Sequence, residues 1–283
     1  LSGRSPELVT FYNNQLLTIG GIVARATSTA LNTFGAGAAA QVLISRGELP
    51  EEARDAILPV PVQQSPLFNP ALDYVQFLLA AVVPSVLQIF ICASAALSVA
   101  LDAQHVRGVP RMLALGGSPL RAALGKLAPY ALAYLFVLCV ADASLFGFVG
   151  APFNGSLGLH LLYTVVFVVA CLSLGALLGV VAGDTVGALG MTGVLTGPAF
   201  GFAGISFPRL TMNSFAWAWG GLLPLTPYLQ LRTDQVLRGA PVDVSLPTLG
   251  WLMAQVAIYG ALLLVMLSRK AAQPATATSE GQS

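Results

Sequence analysis

The sequence predicts an all-α polytopic membrane protein carrying part of a small α/β domain at its N-terminal end. Three observations lead there. Asp, Glu, Lys and Arg make up 9% of the chain and hydrophobic residues 56%; an ordinary soluble domain is about one quarter charged, so this chain lacks the polar surface of a soluble fold. Several uncharged runs reach the roughly 20 residues that a helix needs to cross about 30 Å of hydrocarbon. Residues 1–74, by contrast, are polar and interrupted by prolines and turn residues.

In "ELVTFYNN" the residues Leu8, Val9, Phe11 and Tyr12 predict a short strand, and Asn13-Asn14 the turn that ends it. Over residues 15–45, Leu17, Val23, Leu31 and Phe34 recur roughly in helical phase, predicting a helix loosened by Gly20-Gly21 and by Gly35 and Gly37. Residues 48–55 are charged and helix-capable. The stretch "ILPVPVQQSPLFNP" holds four prolines, which exclude a helix and predict extended or edge-strand chain leading to the membrane. The chain opens with Leu1, without a signal-peptide pattern, and the expectation is that sequence upstream is missing.

Five spans follow. The first, residues 75–101, lies between Asp73 and Asp102 and contains Pro84 as a kink. The others are 127–150, 157–182, 186–207 and 246–268, the last ended by Arg269-Lys270 and followed by a tail over 271–283 that is predicted to be disordered. "APFNGS", residues 151–156, has the turn chemistry and length of a tight connection. Between the fourth and fifth spans, residues 208–240 include an uncharged stretch, 210–231, broken by Gly220-Gly221, Pro224 and Pro227. Two short helices dipping into the membrane and back fit this pattern better than one crossing. Trp217, Trp219 and Tyr228 suit the headgroup level, where amphipathic rings settle.

The loop of residues 102–126 holds Arg107, Arg111, Arg121 and Lys126, and the C-terminal end holds Arg269 and Lys270, whereas "APFNGS" has no charge. Basic short loops stay in the cytoplasm, so residues 1–74 and 208–245 are expected outside. Two antiparallel helices need only a few connecting residues. The punctuation of this longer loop by Gly108, Pro110, Gly116-Gly117 and Pro119 predicts a short helix around 111–115 and another from Pro119. Two readings of its charge are open: a docking surface for a soluble partner, or orientation and contact with anionic membrane lipid. The net charge of +1 argues against nucleic acid as a partner.

Asp142 lies about 12 Å of helix inside the outer end of its span. A carboxylate at that depth faces a partner or a water-filled cavity, and His160 is the partner if the two helices pack as a hairpin. The pair either lines a polar path or is simply hydrogen-bonded near a wetted interface. Gly175, Gly179 and Gly183, and then Gly193, Gly197 and Gly201, recur every four residues; such strips let helix backbones approach, within the subunit or between copies. Pro198 adds a kink to the second strip. Cys92, Cys139 and Cys171 all fall in apolar runs and are expected reduced and buried, with no metal-ligand spacing. The Gly125-Lys126 pair is followed by Leu127, not by the Ser or Thr of a nucleotide loop. Ser206 lacks a nucleophile elbow, so the residues point away from an enzyme.

Four stretches, "LVTFYNNQ", "LFNPALDY", "LGGSPLRAALGKLAPY" and "GISFPRLTMNSFAWAWGGLLPLTPYLQLRTDQVLRGAP", together resemble the permease subunits of type-2 ABC exporters, in the subgroup with a large extracytoplasmic domain between the first two spans. The resemblance implies six spans per subunit, the first upstream of Leu1, and makes residues 1–74 the tail of a larger domain. It implies a homo- or heterodimer of permeases in the bacterial inner membrane, exporting an amphipathic or hydrophobic substrate. Cytoplasmic ATPase subunits would carry the ATP and Mg, leaving no cofactor on this chain, with a periplasmic adaptor as a further partner. Residues 105–125 then include the coupling helix, with His105, Arg107, Gly108, Arg111, Gly116, Pro119, Arg121 and Lys126 as the ATPase-coupling loop. Family members usually place a Glu shortly before the loop's Gly, where this chain has Asp102, His105 and Arg107. The alternative is an ion-coupled secondary transporter or channel, which calls for intramembrane ionisable residues or paired broken helices; Asp142 and His160 are the residues that fit it.

Overall fold

The computed structural model describes residues 8–13, 17–45, 62–67, 74–105, 107–205 and 208–272. The chain divides into two compact units, Leu1–Tyr74 and Val75–Ser283. The expected helix over 48–55 lies outside the described residues, as does the tail expected to be disordered over 271–283, except for Ala271 and Ala272, which are helical.

In the first unit, strand β1 (Leu8–Asn13) pairs in parallel with β2 (Val62–Leu67), in register from Leu8 opposite Val62 to Asn13 opposite Leu67. Parallel neighbours need a long crossover, and the chain between them contains α1 (Leu17–Ser45). β2 retains Pro66, which a strand at a sheet edge tolerates. α1 leaves Ile22, Val23, Phe34 and Ile44 exposed.

The second unit is a helical bundle. Its elements are α2 (Tyr74–Ala103), α3 (Gly108–Gly116), α4 (Pro119–Ala143), continued by a π turn at Ser144–Phe148, and α5 (Leu157–Ala182). After these come α6 (Thr185–Thr196), α7 (Ala199–Phe202), α8 (Ser214–Leu222), α9 (Leu225–Arg232), with a π turn at Thr233–Leu237, and α10 (Val242–Ala272). Four helices are long and apolar enough to cross a membrane, over Ala80–Ala103, Pro119–Phe148, Leu157–Ala182 and Val242–Ala272.

Four of the five expected spans are single continuous helices among the described residues, and the remaining one is corrected from a continuous helix to a broken one. The stretch 186–207 is not one helix: it breaks at Gly197-Pro198 into α6 and α7. Proline has no N–H to give and its ring collides with the preceding turn. The 12 residues of α6 rise only about 18 Å, short of the hydrocarbon thickness. The second span also begins earlier than expected, at Pro119, and the last at Val242.

α5 is the central helix, the most buried of the four long helices, and α4 the least. Its small residues make that position accessible. A Cβ on Gly175 would run into the Cys92 carbonyl, and one on Gly179 into that of Ala96, so α5 lies directly on the backbone of α2. Cys92 donates its thiol to the Cys171 carbonyl at 3.3 Å in the same seam. Cys139, however, is exposed on the outer face of α4 beside Phe136 and Val140, contrary to the expectation of burial. α10 packs along the other side of α5, and Lys270 reaches the Val180 carbonyl at 3.3 Å, bringing the ends of α5 and α10 to one end of the bundle.

Candidate functional site

At that same end α2 gives way to α3. Gly108 is required there because a Cβ would strike the Asp102 carbonyl. α3 closes on Gly117 in the left-handed region (φ 70°), whose N–H donates to the Leu113 carbonyl at 2.9 Å. Ser118 then caps α4, accepting from the Arg121 N–H at 3.3 Å, with Pro119 in the first turn. α3 lies close on the start of α4, since a Cβ at Gly116 would sit 2.7 Å from the Ala122 Cα.

α3 is two-faced. Val109 is buried and Met112 and Leu113 pack on the core, whereas Arg107 before it and Arg111 and Leu115 along it are exposed. Together with the first two turns of α4 this exposed face forms a cleft of about 720 Å³. His105, Arg107, Gly108, Arg111, Gly116, Arg121 and Lys126 all line it; Pro119 of the expected loop residues does not. Asp102 is engaged by Lys126 at 2.5 Å. Among the described residues Arg107, Arg111 and Arg121 have no ion-pair partner.

At the opposite end of the bundle Asp142 on α4 meets His160 on α5, Oδ2 to Nε2, at 2.8 Å. Arg232, at the end of α9, donates to the other carboxylate oxygen at 2.5 Å and to the Tyr228 hydroxyl at 3.2 Å. His160 Nδ1 contacts the Tyr163 hydroxyl at 2.5 Å. The side chains are 13% exposed for Asp142, 3% for His160 and 5% for Arg232, so the charges face one another inside the subunit. The Arg232 guanidinium also lies over the Phe146 ring at 5.7 Å. Tyr228 is fully buried, stacked on Phe167 at 4.1 Å. Tyr228 is expected at headgroup level; its hydroxyl finds its polar partner inside the subunit, in Arg232.

The sequence does not single out Arg232, Tyr163 and Tyr228 as site residues. The available signal was the four-residue spacing of Tyr228 and Arg232, one helical turn, at the edge of an uncharged stretch. Nearby, Gln235 accepts from the Ser156 N–H at 3.1 Å and donates to Ser245 at 2.9 Å, and Asn154 donates to the Leu237 carbonyl at 3.2 Å. The α4–α5 connection is thereby joined to the start of α10.

Between the two ends, α8 and α9 break at Leu223-Pro224, and the freed backbone groups are taken by side chains. Gln88 on α2 accepts from the Leu225 N–H at 2.8 Å, while Gln255 and Trp251 on α10 donate to the Gly221 carbonyl at 2.8 and 3.1 Å. Tyr259 donates to the Leu222 carbonyl. Such partners are what a broken helix needs away from water. Trp219 donates to the Leu195 carbonyl at the end of α6 at 3.2 Å. Arg209 lies over the Trp217 ring at 5.4 Å and donates to its carbonyl at 2.9 Å; partial burial lowers its pKa from the ordinary guanidinium value.

The two glycine strips differ. Gly175 and Gly179 lie in the α2–α5 seam, and Gly183 closes α5 in the left-handed region (φ 77°). Gly193 and Gly201 have open space where a Cβ would stand, and Gly197 falls at the α6 break. Among the described residues no group of His, Cys, Asp and Glu is placed to hold a metal ion.

Compared with known protein families, residues 1–265 match the one described as ABC-2 family transporter protein. Comparison with curated proteins and with solved structures gives no match.

Proposed function

The chain belongs to the ABC-2 family of transporter proteins, and on that premise we propose that it exports an amphipathic or hydrophobic substrate from the cytoplasm. Family membership makes it a multi-pass transmembrane permease subunit of an ABC transporter, with ATP hydrolysis on a separate chain. ATP and Mg then belong to that chain, and this one needs no cofactor. A second permease subunit, identical or not, completes the transporter.

The observation that carries the reading is α3, a nine-residue helix held at the basic end of the bundle by Gly108 at one side and Gly116-Gly117 at the other. The exposed turn before it, with Gln104, His105 and Arg107, is the coupling element that meets the ATPase. Arg111, Arg121, Lys126, Arg269 and Lys270 gather at this end, while the 151–156 connection at the other end has no charge. Positive charge in short loops marks the cytoplasmic side. Residues 1–74 are accordingly extracytoplasmic and part of a larger α/β domain; the exposed Ile22, Val23, Phe34 and Ile44 of α1 supply an apolar face for it to cover. The C-terminus is cytoplasmic, in a bacterial inner membrane. An ion-coupled transporter would need Asp142 or His160 to face an aqueous path; Asp142 is instead turned toward Arg232, and His160 toward Asp142 and Tyr163, inside the bundle.

The test is co-purification of the full chain with its cognate ABC ATPase, followed by ATP hydrolysis in proteoliposomes. A stable complex that loses ATPase recruitment when Gln104 and His105 are replaced by Glu supports the reading. No ATPase in the purified complex would sink it.

A further inference from the structure

We infer that the cleft between α3 and α4 is a binding site for the phosphate headgroup of an anionic phospholipid of the adjoining leaflet. That this leaflet is the cytoplasmic one rests on the orientation proposed above; the site itself is argued from its own geometry.

The first observation is charge. Arg107, Arg111, Arg121 and Lys126 line the cleft with Asp102 as the one carboxylate, and Lys126 alone is neutralised by it. The remaining three guanidinium groups have no ion-pair partner among the described residues. Planar guanidinium groups with several N–H donors match a phosphodiester. A volume of about 720 Å³ admits a headgroup of that size.

The second observation is depth. The continuous helix Pro119–Phe148 is 30 residues long and rises about 45 Å, the thickness of a bilayer including its headgroup layers. Lys126 lies about 33 Å along the helix from Phe148, at the boundary of the hydrocarbon, and Arg121 lies about 7.5 Å further out, among headgroups. The cleft therefore opens where lipid phosphates are.

The third observation separates a lipid from a soluble acidic partner. Beside the cleft, Leu115, Leu120 and Leu124 are exposed at 81%, 53% and 59%, and exposed apolar side chains continue along α4 through Leu132 and Phe136 toward the middle of the bilayer. Positions 120, 124, 132 and 136, with the exposed Ala128 between them, lie on one i, i+4 ridge, which winds about 40° round the helix with each step of four residues. A headgroup in the cleft would have its acyl chains against Leu120 and Leu124, where that ridge begins. A protein docked from the aqueous side would leave it uncovered. Bound there, the lipid joins α3 to α4 and fastens the coupling element at the membrane surface.

The experiment is native mass spectrometry of the full chain, alone and with its cognate ATPase, released from vesicles of phosphatidylcholine containing a minor fraction of phosphatidylglycerol. Wild type is expected to retain phosphatidylglycerol in preference to phosphatidylcholine. R111Q/R121Q should weaken that retention roughly tenfold to thirtyfold, while R269Q, a basic residue outside the cleft, should not. Unfolding in phosphatidylcholine alone verifies that the variants fold, and L120Q/L124Q, which keeps every charge, should also reduce retention. Undiminished phosphatidylglycerol on R111Q/R121Q would overturn the assignment. Displacement of the lipid by millimolar inorganic phosphate would overturn it too, in favour of a small-anion site. So would loss of the ATPase by R111Q/R121Q with lipid retained, which would make the cleft a protein-docking surface. Because the lipid is counted on the permease alone as well, failure to recruit any ATPase counts against the transporter reading and leaves the lipid result legible.

Discussion

Arg232 donates to Asp142 at 2.5 Å across 90 residues of chain, joining the second half of a broken helix pair to α4 at the end of the bundle opposite the basic cleft. His160 holds the other carboxylate oxygen at 2.8 Å. One ion pair and its histidine thus clasp α4, α5 and α9 together.

Removing one member leaves a buried charge without its partner, which costs about 3–5 kcal/mol, whereas replacing both by apolar side chains is far less damaging. R232M and D142L are each expected to lower the unfolding midpoint strongly, and the double variant to recover much of the loss. A double-mutant cycle measured by thermal unfolding in detergent reads this directly; additive effects would mean that the two residues do not interact.

The α2–α5 seam predicts a contrast between glycines. G179L forces a side chain into the Ala96 backbone and should destabilise by about 1–3 kcal/mol or more. G193L points into open space and should leave the monomer's stability within about 1 kcal/mol of wild type. If α6 meets a second subunit, G193L will instead weaken dimerisation, which size-exclusion chromatography with light scattering separates from unfolding.

At the break between α8 and α9, Q88L would leave the Leu225 N–H without its acceptor, and Q255L would remove one of the two donors to the Gly221 carbonyl. An unpaired buried N–H costs about 1–3 kcal/mol, while a carbonyl that keeps Trp251 loses less. Q88L is therefore expected to be the more destabilising of the two, and to increase hydrogen exchange at Leu225. Equal effects would show that the break relies on its helices more than on these side chains.

The basic end of the chain was legible because its signals are local. Gly108, Gly116-Gly117, Ser118 and Pro119 each mark a turn or cap within a few residues of where they act, and α3 and α4 begin and end beside them. Asp142 and His160 meet across a short connection, as a helical hairpin requires. Hydropathy, however, sums over a window and does not register a single Gly-Pro break, so α6 and α7 read as one span. The sequence does not mark Arg232, because its partner is distant along the chain, and it does not tell a tyrosine with a buried partner, such as Tyr228, from one at headgroup level. The exposed Cys139 likewise depends on which face of α4 packs, and nearly uniform apolarity along that helix does not say.

On the proposed function the turn leading into α3 meets the cell interior, where an ATPase can reach it. Gln104 is exposed in that turn, so the direct measurement is labelling of Q104C, in a C139A background, with a membrane-impermeant maleimide on whole cells and on permeabilised ones. Labelling that requires permeabilisation, and that is suppressed when the cognate ATPase is co-expressed, is the predicted result. Labelling of intact cells from outside would contradict the account.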